Sequence, residues 1–263
     1  MTEAGLLLPL LLGPASIFAL AALAELVWPR RVLQFGRAWR WSTGALLFIS
    51  NRATIRLLSL LVTLPAAALW AESEGIGLLR LVDLPTWAEI GLAFVLLDFA
   101  MWLQHLLMHR VPILWRMHKV HHADPDLDVS TAIRFHPFEI AVSLLWKAAW
   151  VSLLGAPAFV IFAFEAWLTA NAAFNHGNIE LPPRLDRWLR RLLVTPDMHL
   201  VHHSTEINEQ QSNYGFALSL WDRLFGTYAI ESKNGRDRQA IGLAELQDSQ
   251  PTRILHALRL PLT

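Results

Sequence analysis

Ten of the 11 histidines in this 263-residue chain lie between His105 and His203, and they fall into patterns. QHLLMHR places His105 and His109 four residues apart. MHKVHHAD carries His118, His121 and His122, and MHLVHHS carries His199, His202 and His203. His136 in RFHPFE and His176 in FNHGN stand singly. On a helix, residues three and four apart share a face, so His105 and His109 can point at one centre. In H-x2-H-H the first ring is three and four positions from the other two, and all three can meet along one edge. The two adjacent rings diverge by about 100°, which lets such a pair serve two metals, one ring each. Two copies of that motif and the upstream pair supply eight imidazoles, enough for a dinuclear centre. His256, alone in the C-terminal region, reads as an ordinary surface or satisfied histidine.

The chain has no cysteine, so thiolate metal sites, disulfides and cysteine nucleophiles are excluded. Imidazole suits Zn, Cu, Fe and Ni and does not by itself name the metal. A catalytic zinc takes about three protein ligands and a water, so eight to ten histidines exceed its need and indicate two metals. The Glu plus Glu-x-x-His pattern of soluble di-iron bundles is absent.

The elements that must position these rings are membrane helices. Hydrophobic residues make up 54% of the chain and charged residues 17%, where a soluble domain has about 25% charged. The expected fold is an all-α integral membrane protein of about four transmembrane helices, or three plus a helical hairpin, with a cytoplasmic helical cap holding the dimetal site. The first span is expected over Leu6 to Val27, as a retained anchor rather than a secretory signal, since the segment starts with Glu3 and not with basic residues. The second lies between Gly44 and Trp70, with Arg52 and Arg56 at the interface, and the third runs from Ala88 to Leu107. Ile140 to Phe174, broken at Gly155-Ala156-Pro157, reads as a tight hairpin. Arg30, Arg31, Arg37 and Arg40 after the first span put that loop, and with it the histidines, on the cytoplasmic side. The compact size suggests a bacterial inner membrane. Three regions follow: N-terminal helices over 1–87, a catalytic domain over 88–231 and a polar C-terminal tail over 232–263. PRLDRWLRRLL, from Pro183 to Leu193, reads as a basic helix that lies on headgroups or packs as a surface helix. A net charge of zero gives no reason to expect nucleic acid as a partner.

The motifs HLLMH, HKVHH, DLDVSTAIRFHP, FNHGN, HLVHH and NYGFALSLWDRLFGTY, over roughly Asp98 to Tyr228, resemble the fatty-acid hydroxylase/sterol-desaturase superfamily of membrane histidine-box enzymes. The resemblance implies a cytoplasm-facing centre of two iron ions (Fe2+/Fe3+) that activates O2 against a C–H bond of a lipid. Zinc can occupy such a site in purified or crystallised protein. The family's ligand positions carry over to His105, His109, His118, His121, His122, His199, His202 and His203, and His176 matches a further one. Some relatives have another H-x3-H before the last box, where this chain has Ala172. The missing ligand is replaced by His136, or by Asn171 through water, or by nothing. His136 is equally readable as an orienting or structural residue. Asp98, Asp124, Asp128, Asp197 and Asp222 are candidates to orient metal-bound rings, Asp128 and Asp222 gaining from their place in matching stretches, though each can also cap a helix or turn.

With no nucleotide, haem or flavin motif, the electrons must come from a separate reductase, cytochrome or ferredoxin. Arg184, Arg187, Arg190 and Arg191 offer a docking face for it, or for headgroups. Trp102, Trp146, Trp150, Phe164, Trp167 and Phe174 are available to line an apolar slot entered from the bilayer, and Lys147 and Glu165 touch a headgroup or snorkel. Hydroxylation, desaturation and pterin-dependent glyceryl-ether oxidation would share this centre. A metal transporter or sensor is the reading from another class. It needs ionisable residues along successive spans, whereas here the histidines gather at one membrane face.

Overall fold

The computed structural model describes residues 3–235 and 238–263, with side chains from Ala15 onward. The helices are α1 (Glu3–Val27), α2 (Arg37–Leu58), α3 (Leu64–Ser73), α4 (Thr86–Arg110), α5 (Pro112–His122), α6 (Pro137–Leu154) and α7 (Ala158–Asn175). Five short ones follow: α8 (Pro183–Leu189), α9 (Pro196–His202), α10 (Ile207–Gln210), α11 (Leu220–Leu224) and α12 (Ile254–Arg259). Among the described residues there is no sheet, only isolated bridges such as Ser204 with Ile241.

Three described helices, α4, α6 and α7, are long and apolar enough to cross a membrane. Much of the expected first span lies outside the described side chains, and its described part, Ala15–Val27, is a shorter apolar stretch. The expected second span is corrected: Gly44 to Trp70 is not one helix. It breaks after Leu58 and restarts at α3, where Thr63 Oγ1 accepts the Ala66 amide at 3.1 Å and Pro65 stands in the first turn. Proline lacks the amide that would continue the α2 ladder and its ring crowds the preceding turn. The hairpin expected at Gly155-Ala156-Pro157 is present. Gly155 takes φ +68 as the C-cap of α6, a left-handed conformation costly for a side chain. A Cβ on Gly155 would also come within 2.7 Å of the Ile76 carbonyl, so the loop after α3 closes against this turn. Leu97 and Met101 of α4, Leu144 and Val151 of α6, Ile161 and Phe164 of α7, and Leu64 of α3 share the main apolar core.

The site lies where α4 ends, α6 begins and α7 ends, so all three converge on one end of the bundle. Proline sets these junctions. Only Val111 separates α4 from α5, extended at φ −99, ψ 116, because the following Pro112 disfavours the helical conformation for it. Pro137 and Pro196 likewise stand in the first turns of α6 and α9, where the missing amide costs nothing.

The C-terminal segment, expected as a polar tail, packs on this end. Leu243, Ala257 and Leu260 share a core with Leu47 of α2 and Val120 of α5, and the Gly242 amide donates to the His203 carbonyl at 2.9 Å. Arginines read as an orientation signal turn inward. Arg40 pairs with Asp124 through Nε and Nη2 at 2.7 and 2.9 Å and also with Asp128, and Arg30 pairs with Asp197 at 3.0 Å. Arg40→Met would remove the ion-pair partner that two buried carboxylates, Asp124 and Asp128, share. Loss of one partner of such a pair costs about 3–5 kcal/mol, so the melting temperature in detergent should fall clearly. An unchanged value would show that the cluster does not hold the α2 and α5 ends together.

Candidate metal centre

Nine buried histidines converge in two groups. His105, His109, His118, His122 and His202 form one, and His121, His176, His199 and His203 the other, with the ligand atoms of each group within 4.8 Å of one another. Each adjacent pair is divided: His121 and His122 go to different groups, as do His202 and His203. Diverging side chains on successive helical positions produce that division.

The hydrogen bonds fix which nitrogen carries the proton. His105 Nδ1 donates to the Tyr214 carbonyl at 2.8 Å, His202 Nδ1 to the Ser212 carbonyl at 2.7 Å and His176 Nδ1 to the Ala172 carbonyl at 2.8 Å. His118 Nδ1 donates to Glu139 Oε1 at 2.7 Å. A carbonyl only accepts, so in the neutral rings the lone pair sits on Nε2. The Nε2 atoms of His105, His118 and His202 face one another, His105 meeting His118 at 3.1 Å and His202 at 3.0 Å, while His176 Nε2 lies 3.1 Å from His121 Nε2 and 3.0 Å from His199 Nε2. In the five-histidine group lone pair meets lone pair, which is repulsive, so the contacts of His105 with His118 and His202 are not hydrogen bonds between neutral rings; in the other group the Nδ1 atoms of His121, His199 and His203 are buried without a partner. Two nitrogens each about 2.0–2.1 Å from one ion, at right angles, would be about 3 Å apart. Both nitrogens of His109 and of His122 are buried without a hydrogen-bond partner, which is costly unless an ion takes one of each. The residues therefore fit a metal ion in each group.

Burial, and then the neighbouring rings, push His121, His122, His199 and His203 well below the usual histidine range. Burial also lowers His202 to about 3 and His176 to about 4, against partial restoration by their carbonyl acceptors. All six are neutral at pH 7, the form that binds metal. Packing fixes the ring planes: Phe135 stacks on His121 at 4.6 Å between centroids, and Trp115 lies 5.1 Å from His109.

The other expected residues take different places. His136 is in neither group; it is the N-cap of α6, its Nδ1 accepting the Phe138 amide at 3.2 Å. Asn171 donates to the Trp167 carbonyl of its own helix at 2.8 Å. Asp128 caps the turn after α5 and receives Arg40, while Asp197 takes Arg30. Asp222 acts one step further out. It accepts the Tyr214 and Gly215 amides at 2.8 and 2.7 Å and Trp102 Nε1 at 3.1 Å, which holds the loop whose Tyr214 carbonyl orients His105. Trp221 Nε1 donates back to Asp98 at 2.8 Å, so α4 and α11 are cross-linked both ways. Arg190, expected on the basic face, is buried against Asp186 and the Ile230 carbonyl; Arg184, Arg187 and Arg191 are exposed.

Sequence reasoning missed Glu139, which touches His118 directly. Its signal was the RFHPFE stretch, where His136 caps and Pro137 starts a helix and the acid falls in the first turn. A carboxylate on the distal nitrogen raises ligand basicity, and its loss typically costs 10–100-fold in metal affinity. Glu139→Gln should therefore weaken the five-histidine group by about that factor and spare the other, as read by competition with a graded chelator. Equal weakening of both groups would refute a local role. The depressed histidines also couple stability to pH. In the metal-free protein the unfolded chain takes up protons as pH falls below about 6.5, while His176 and His202 resist until about 4 and 3. Stability is thus full above that upper value and lost as pH falls through the window. A metal-free melting temperature that does not drop between pH 7 and 5 would contradict it.

Comparison with known proteins supplies the relationship. The family model described as fatty acid hydroxylase matches residues 90–227. Human alkylglycerol monooxygenase is 28% identical over 59% of this chain and 34% of its own length. Ornithine lipid hydroxylase OlsE of Rhizobium tropici is 32% identical over 53% of the chain and 41% of its own. A cholesterol 25-hydroxylase-like protein of Danio rerio is 28% identical over 60% and 61%. The match thus spans about a third to two fifths of the first two relatives. No solved structure matches. The matched residues run from the start of α4 to just past α11 and contain all nine converging histidines, and on that evidence the chain belongs to the fatty acid hydroxylase family.

Proposed function

We propose that this chain is a membrane-bound di-iron oxygenase that hydroxylates, or desaturates, a C–H bond of a lipid with O2 and external electrons. The observation that carries the reading is the pair of buried, converging imidazole groups set at the end of three apolar helices. Relatives named for lipid hydroxylation and alkylglycerol oxidation support the substrate class. Two irons would supply the O2 activation that side chains lack. The chain's own residues do the rest: Glu139 and three backbone carbonyls fix the ring tautomers, and α4, α6 and α7 offer a path from the bilayer. The site faces the cytoplasm, and exposed Arg184, Arg187 and Arg191 suit an acidic donor of reductase, cytochrome or ferredoxin type. Hydroxylation ranks ahead of desaturation because the named relatives are hydroxylases and monooxygenases.

Metal analysis of purified protein tests this with one variant in each group. The wild type should carry two irons per chain. His202→Ala should deplete the ion of its five-histidine group, and His121→Ala that of the four-histidine group. A single zinc retained in both variants would sink the proposal.

A further inference from the structure

Lys147 of α6 and Glu165 of α7 meet inside the hairpin, with Nζ 2.7 Å from Oε1 and 2.9 Å from Oε2. Both stand in helices able to cross a bilayer. Lys147 is eight residues past Glu139, the partner of His118, and Glu165 is eleven residues before His176. At 1.5 Å per residue the pair lies about 12–16 Å from the imidazoles along the helices, roughly half the depth of the hydrocarbon core. Ionisable side chains are expensive there and ordinarily mark a functional cavity. The hairpin has no need of them as a clasp. Its arms are already packed through Leu144, Val151, Ile161 and Phe164, and apolar side chains of similar volume usually hold two elements at least as well as a buried ion pair.

The pair borders a small hollow of about 10 Å³ between Leu97, Met101, Trp150, Ile161 and Phe164, room for one water or hydroxyl but not for an alkyl chain. The Glu165 side chain is 41% exposed, which leaves the pair reachable from the lipid side. An ammonium has three donors, and Glu165 takes two of them. The third, together with the free carboxylate lone pairs, offers a donor and an acceptor side by side. A hydroxyl fits both, accepting from Lys147 and donating to Glu165. It also keeps the pair electrically neutral, whereas a fatty-acid carboxylate would leave a net negative charge in the middle of the bilayer.

We propose that Lys147 and Glu165 bind the hydroxyl of a neutral lipid, seated at that hollow, whose chain lies along the lipid-facing side of α6 and α7 toward the histidine end. The pair is then a positioning device: the span from hydroxyl to metal centre decides which carbon is presented. Only this last step rests on the oxygenase reading.

The test is photolabelling of intact, metal-loaded protein in lipid nanodiscs, without an electron donor so that no turnover occurs. The probe is a long-chain primary alcohol carrying a diazirine beside its hydroxyl. Label should appear on the peptides holding Lys147, Trp150 and Glu165. Unlabelled alcohol should compete at least tenfold better than the alkane or the carboxylate of equal length. The K147M/E165L variant should keep its melting temperature and metal content and lose labelling at least tenfold. Full labelling of that variant in folded form overturns the proposal. So does equal competition by alkane, or better competition by carboxylate, and these two need only the wild type should the variant not fold. Because labelling requires no catalysis, its failure is separable from failure to oxidise a lipid.

Discussion

His105, His118 and His202 each give their Nδ1 proton to an acceptor that the fold holds still, and their Nε2 lone pairs are left pointing at one another across about 3 Å. Much of the architecture exists to sustain that arrangement. Neutral rings turned lone pair to lone pair repel, and protonated ones would repel more, so only a cation makes the cluster favourable. Burial works in the same direction by disfavouring the charged imidazoles. The acceptors then matter as much as the ligands. Were the Tyr214 or Ser212 carbonyl to move away, a ring could change tautomer and bond to its neighbour instead of to a metal.

The acceptors are fixed from outside the site. Asp222 binds the two amides that follow Asn213, and through them presents the Tyr214 carbonyl to His105. The exchange of Trp102 with Asp222 and of Trp221 with Asp98 ties that loop to α4, the helix that carries His105. On the other side, Arg40 joins α2 to the turn after α5 through Asp124 and Asp128, just past His122. Buried ion pairs are poor sources of net stability, but breaking one is expensive. Here they fix where helices start and stop, which is what a centre whose histidines come from four separate segments requires.

The histidine spacing made the centre legible before any coordinates, because helical periodicity alone tells which rings share a face and which diverge. Proline at helix starts was legible too, and so was the turn at Gly155. Other features were hidden for physical reasons. Hydropathy over Gly44 to Trp70 averages across the break that Thr63 and Pro65 impose, so two helices read as one span. Arg30 and Arg40 look like topogenic loop charges, and only their partners, 84 or more residues away, turn them into internal ties. Asp128 and Asp197 were sought as partners of histidine and prove to be partners of arginine. Glu139 was passed over because a single acid near a proline has many ordinary explanations, and only the approach of α6 to α5 selects the right one.

Position 172 shows how a departure from family pattern is absorbed. It lies one helical turn before His176, on the face that looks toward the four-histidine group, where relatives in the pattern would place another imidazole. In this chain it is a buried alanine whose carbonyl receives the His176 Nδ1 proton. The residue therefore serves the site through its backbone and supplies no ligand of its own. The shortfall falls on one group alone, leaving four rings there against five in the other, and the five-ring group is also the one that holds a carboxylate against a ligand. The two histidine groups are thus unequal in donor number and in charge. An ion bound in each group would therefore differ in electron richness and coordination space, through Ala172 on one side and Glu139 on the other.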